Sequence, residues 1–106
     1  MVPRLVVSDG QPEDTAAFDA HSRDTHTPLA TSLPGLVRLT TGSPQAMDPS
    51  HPAPYLVAEL DFESEKEMGA AFNSSEGKEA ADDIANFATG GASMTHYQLT
   101  EVHAAR

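Results

Sequence analysis

The sequence predicts one α+β domain with the element order β-α-β-β-α-β. Four short runs rich in β-branched and large apolar residues read as strands. Two longer stretches between them space their apolar residues for helices. Glycine, proline or Asp-Gly pairs stand at the joints, where a chain changes direction. At 106 residues there is room for one domain, 1–106, and a modest core.

The first strand is Arg4 to Ser8, closed by the Asp9-Gly10 turn pair. Gln11-Pro12-Glu13-Asp14 then opens a helix, with proline and acids where a helix N-terminus favours them. That helix covers about 13–27 and continues to Leu33. Phe18, Ser22, His26, Leu29 and Leu33 fall on one face at α-helical spacing, with Asp19, Arg23 and Asp24 opposite. Pro28 donates no backbone hydrogen bond and crowds the carbonyl of Asp24, so a kink or break is expected there. Pro34-Gly35 stops the helix, and 36–40 is the second strand.

Residues 41–54 hold one glycine and four prolines and read as an irregular connection of the kind that often overlies a binding site. The third strand is Tyr55 to Phe62, with Leu56, Ala58, Leu60 and Phe62 on one face and Tyr55, Val57, Glu59 and Asp61 on the other. Ser64 and Glu67 fit a capping box, followed by the apolar stripe Met68, Ala71, Phe72. A polar interruption at 73–77 precedes a further helix over about 76–88, with Ala80, Ile84 and Phe87 inward. Gly90-Gly91 ends it, and 94–102 is the fourth strand. This order is that of a ferredoxin-like sheet covered by helices on one face. The other face is then bare, and a partly apolar bare sheet face predicts a homodimer with the two sheets facing each other.

The formal charge of −10, from 16 acidic and 6 basic residues, repels nucleic acid and anionic membrane. The chain has no tryptophan, and aromatics at 6% offer no stacking platform for bases. No cysteine is present, so disulfides, thiolate metal sites and cysteine nucleophiles are excluded, and a reducing cytoplasm suits the chain. The N-terminal apolar run is too short for a signal peptide or spanning helix. The five histidines lack the pairing that makes a zinc site, and His21 and His26, five apart, separate around an α-helix. No phosphate loop or nucleophile elbow occurs. No cofactor is expected.

His26 is the leading candidate for chemistry: flanked by Phe18 and Leu29 on the inward face, it could titrate near neutrality and move a proton on a small ligand. A lone histidine on an apolar face is equally readable as a structural one. Tyr55, at the start of the third strand, and His96, in the fourth, are further candidates to line a cavity or face a dimer seam. Asp83 in the last helix reads as a solvated residue or a cap to a loop. His21 reads as structural, and His51 and His103 as incidental.

Phe18-Asp19-Ala20-His21, His26-Thr27-Pro28-Leu29 and Leu33-Pro34-Gly35-Leu36 resemble the N-terminal half of EthD-type proteins. Leu56 to Leu60, Ser64, Ser75-Glu76-Gly77, Ala81-Asp82-Asp83 and Asn86-Phe87-Ala88 resemble the C-terminal half, so the likeness runs from about Leu5 to Val102. The resemblance implies a dimeric α+β barrel, a superfamily that includes cofactor-independent monooxygenases, polyketide cyclases and lactone isomerases. It implies a histidine at the cavity, which His26 supplies, with Phe18, Ser22 and Leu29 as pocket residues, and it brings Asp83 in as a site residue. Ser22 stands where the family commonly has tyrosine, which implies a wider pocket and bars transfer of any role of that phenol. The activity implied is cofactor-free proton transfer on an apolar aromatic, polyketide-like or lactone ligand, as isomerase, cyclase, dehydratase or monooxygenase. The alternative is a non-catalytic binding or accessory protein of a degradative oxidation pathway. A blander third reading is a structural dimer with a closed cavity.

Overall fold

The computed structural model describes residues 2–105. β1 (Pro3–Asp9) leads to α1 (Thr15–His21), whose first turn is capped by Asp14 accepting from the Ala17 N–H. A π-helical turn (Ser22–His26) joins α1 without a break to α2 (Thr27–Thr31). There follow β2 (Leu36–Gly42), a connection over 43–55, β3 (Leu56–Phe62), α3 (Glu65–Asn73), α4 (Ser75–Phe87) and β4 (Ala92–Gln98). The fourth strand is shorter at its end than the expected 94–102. β1 begins at Pro3, which pairs with Gln98, and the Leu99 N–H already reaches back to the Val2 carbonyl. Among the described residues the β1–β4 pairing does not continue past Gln98.

The strands form one antiparallel sheet in the order β2-β3-β1-β4, the ferredoxin-like arrangement. The overall extents are 37 × 36 × 21 Å, and the short dimension holds one sheet and one helical layer. Strand alternation sends Leu5, Leu60 and Phe62 into the core with Leu33, Met68 and Ala71 from the helices. A bulge between Leu36 and Arg38 resets the alternation of β2. It keeps both Leu36 and Leu39 against the core, leaves Val37 exposed, and sets Arg38 opposite Asp61.

The opposite sheet face carries no helix. Arg4 lies across it, with Nε and Nη2 donating to the two carboxylate oxygens of Asp61 at 2.7 and 3.0 Å and Nη1 donating to Glu59 at 3.0 Å. The hydrogen bond from Arg4 holds the Asp61 carboxyl below its usual range against the opposing effect of burial. Val6 and Val57 share this face. Tyr55, expected there, is elsewhere. It precedes β3, its ring meets Phe18 edge-on at 5.1 Å on the helical side, and its hydroxyl donates to Asp19 at 2.9 Å. The reason is that its N–H bonds the Asp9 carbonyl before the ladder begins, which turns the residue out of strand alternation.

Ser74 divides the last helical stretch. Its extended backbone ends α3, and its hydroxyl accepts the Gly77 N–H to start α4. Gly77 is buried, and a methyl group on its Cα would run into the Ala71 carbonyl and the Phe72 backbone. Gly77→Ala should therefore lower stability by about 2–3 kcal/mol, as overpacking against rigid backbone does; urea unfolding midpoints measure it. No helix among the described residues is long and apolar enough to cross a membrane.

Candidate functional site

The site is organised by the π turn. In an α-helix, five residues subtend about 500°, so His21 and His26 would point about 140° apart. Here the Thr27 N–H reaches back five residues to the Ser22 carbonyl, and the Thr27 hydroxyl donates to the same oxygen at 2.7 Å. The wider turn swings His26 back toward His21. Pro28 follows directly, in the first turn of α2. The break expected at Pro28 is thus an inserted residue within a continuous helix, the form in which π turns recur at functional sites. Past the insertion the first inward position moves from Leu29 to Ala30. Ala30 and Leu33 are buried, and Leu29, expected in the pocket, does not line the cavity.

Both histidines converge on Asp83, which is buried rather than solvated or capping a loop. His21 Nε2 lies 2.8 and 3.0 Å from its two oxygens, His26 Nδ1 lies 3.0 Å from Oδ2, and the Asn86 amide donates to Oδ1 at 3.0 Å. Burial acts against the charge on Asp83, but these hydrogen bonds from Asn86, His21 and His26 outweigh it and hold the carboxyl below its usual range. An ionised carboxylate only accepts, so each ring nitrogen facing it carries the hydrogen. In the neutral form of His26 the lone pair is then on Nε2. Phe87 packs beneath both rings, with centroid distances of 4.9 Å to each, and Phe18 packs on Phe87 at 5.0 Å. The arrangement is a dyad of Asp83 and His26 with the imidazole clamped in one orientation.

A cavity of about 480 Å³ lies between the sheet and the helices and reaches His26. Its walls are mostly apolar, from Leu5, Val7, Ala58 and Leu60 below and Ala30 and Ile84 above, and the exposed Met94 and Phe72 also line it. Ser22 lines it, and so does His96, which sits opposite Leu5 on the exposed edge strand β4. A smaller hollow of about 280 Å³ shares Ser22, Thr27, Thr41 and Leu56 with it and is lined by Phe18. Tyr55 lines neither hollow, and its hydrogen bond to Asp19 raises the phenol above its ordinary value. The proline-rich connection contributes no residue from 43–54 to either. Among the described residues no group of three or more histidines and acids is placed to hold a metal ion.

One residue in the cavity has no counterpart among the expectations. Asp9, at the end of β1, is 4% exposed, lines the cavity, and has a buried carboxylate oxygen without a hydrogen-bond partner among the described residues. Burial pushes its carboxyl above the ordinary range, partly offset by the nearby His26. In the sequence it is one half of an Asp-Gly turn pair, and turn composition hid it. The available signal was register: Asp9 is in phase with Leu5 and Val7, the two residues that face the helices.

The EthD domain family matches residues 10–91. A protein of Rhodococcus erythropolis described as an uncharacterized 11.0 kDa protein in the thcB–thcC intergenic region is 43% identical over 91 residues, covering 86% of this chain and 88% of its own. The crystal structure of an EthD family protein from Bacillus halodurans superposes with a TM-score of 0.86 at 27% identity, over 94% of this chain and all of that one. The hydroxynitrile lyase of Passiflora edulis shares the fold at 14% identity, with a TM-score of 0.76 over 97% of both chains.

Proposed function

Because this chain belongs to the EthD family, we propose that it is a small enzyme that moves a proton on an apolar aromatic, polyketide-like or lactone ligand without a prosthetic group. The observation that carries this reading is an apolar cavity reaching a histidine whose far nitrogen is held by a buried carboxylate. A neutral imidazole fixed through Nδ1 presents Nε2 as a general base, and an apolar surround strengthens its interaction with a bound C–H or O–H acid. Isomerisation, cyclisation and dehydration all begin with that step. In cofactor-free oxygenation the resulting carbanion would itself reduce oxygen. Proton transfer on a small carbon acid also fits a scaffold shared with a lyase.

The working form is a homodimer closed through the bare sheet faces, which carry Val6, Val57 and a neutralised Arg4–Asp61 pair. A location in the cytoplasm suits the absence of cysteine.

The test uses 2-tetralone, an apolar aromatic ketone with exchangeable α-hydrogens, in D2O without added flavin or metal, followed by NMR. The wild type should accelerate exchange, and His26→Ala should lose about 100- to 10,000-fold of that acceleration while remaining folded. Equal exchange by the folded variant ends the proposal. Binding without exchange by the wild type identifies a carrier, the accessory role in a degradative oxidation pathway.

A further inference from the structure

We propose that Asp9 is the oxygen-binding acid of this cavity, so that the ligand class is apolar ketones with an abstractable α-hydrogen, together with their enols. The proposal rests on the proton-transfer reading of His26 and gives it a substrate class.

The side chain of Asp9 makes no hydrogen bond among the described residues. The backbone of the residue is used, with its carbonyl accepting the Tyr55 N–H and its neighbour Gly10 bonding the Gly91 carbonyl at 2.8 Å. The carboxyl group is not, since one oxygen is buried with no partner among the described residues. A buried polar group left unsatisfied destabilises a fold and calls for an explanation outside it. The group lines the same cavity as His26. The other titratable groups lining that cavity are Lys78 and Asp82 from α4 and His96 from β4, all three exposed. Burial favours the neutral acid, and a neutral carboxyl is a hydrogen-bond donor, whereas an ionised one is not.

A donor and a base facing one apolar cavity match one arrangement of ligand atoms: an oxygen at Asp9 and an adjacent C–H at His26. The step balances without a further reactant. His26 Nε2 takes the α-hydrogen as a proton, the C–H electron pair becomes the C=C bond of the enol, and the carbonyl π pair goes to oxygen. That oxygen takes the proton of Asp9. Imidazolium and carboxylate remain, and returning the proton at the same or a conjugated carbon regenerates both groups.

The experiment compares 2-naphthol, an enol-shaped probe, with naphthalene, which has the same rings and no oxygen. The wild type should bind 2-naphthol at least about tenfold tighter by fluorescence titration, as sites built to hydrogen-bond an oxygen do. Asp9→Leu should reduce that preference to within twofold and leave naphthalene affinity equal or better. Asp9→Asn keeps a donor and should keep most of the preference, but an amide has no proton to give, so 2-tetralone exchange should fall. Both variants should melt at or above the wild type at neutral pH. The sign follows from the raised folded value. The destabilisation is absent below the unfolded carboxyl value of about 3.9 and opens as pH rises through the folded one. The Asn variant should therefore match the wild type near pH 3.5 and exceed it above that window. An unchanged naphthol preference in Asp9→Leu overturns the proposal, as does a wild type that binds both probes equally or neither. A lower melting temperature in both variants assigns Asp9 a structural role and overturns it too. Because the preference is a binding measurement, it can succeed while His26→Ala fails to change exchange, and the two readings then part.

Discussion

Asp83→Ala should cost about 3 kcal/mol of stability, read from urea unfolding of the intact protein. The carboxylate is buried and holds three hydrogen bonds from His21, His26 and Asn86. Bonds to a buried charge contribute roughly 1.5–3 kcal/mol each in favourable cases, and removing the hub leaves the buried edges of two imidazoles without a partner. The pH dependence has a definite sign. The folded carboxyl lies below its usual range, so its contribution is complete above about pH 4 and fades as pH falls through the folded value. The stability difference between wild type and Asp83→Ala should hold from pH 7 to pH 5 and shrink below pH 4. Asp83→Asn separates stability from chemistry. An amide NH2 turned toward His26 accepts nothing from Nδ1–H, so the ring should adopt the tautomer with hydrogen on Nε2, which no longer acts as a base. That variant should stay folded and lose ketone exchange by more than tenfold, as second partners of working histidines do. Full exchange in folded Asp83→Asn would show that the dyad is structural only.

Placing a charge on the bare sheet face should turn a dimer into monomers. The wild type should run in size exclusion with light scattering at twice the mass of one chain. Val6→Asp with Val57→Asp should run at one chain mass at micromolar concentration. Both valines lie on the side away from the helices, on neighbouring antiparallel strands. Around them the two acids meet two cations, because Arg4 bonds both Asp61 and Glu59 and Arg38 stands opposite Asp61. A face so neutralised can meet its copy despite a formal charge of −10 on each chain, whereas two added aspartates per copy face each other across the seam without cations. The changes are at partly exposed positions and touch no core residue, so secondary structure by circular dichroism should persist. A wild type of single-chain mass removes the dimer from the proposal.

The fold was legible because it rests on patterns of short range. Alternation in β1 and β3, the Ser64 cap with Glu67, and the breakers at Pro34-Gly35 and Gly90-Gly91 each act within a few residues, so the sequence alone orders the elements. Helical spacing singled out His26 and family resemblance added the warning at Ser22, and both line the cavity. What failed did so where a distant partner resets a local period. Leu29 follows helical spacing from Phe18, but with one inserted residue at the π turn Ala30 takes its place, while Leu33 stays in the core. Tyr55 follows strand alternation from Val57, but its N–H belongs to the Asp9 carbonyl, and its ring belongs to Phe18.

The sequence by itself determined the α+β order, the acidic surface, the missing thiols and the choice of His26 as the candidate for chemistry. Only the tertiary structure decided what that histidine touches. His21, His26, Asp83 and Asp9 lie on α1, the π turn, α4 and β1 respectively, and no spacing rule links 9, 26 and 83. Local periodicity fixes which face a residue shares with its near neighbours, while the meeting of three elements depends on how their layers dock, and that is set by packing over the whole core.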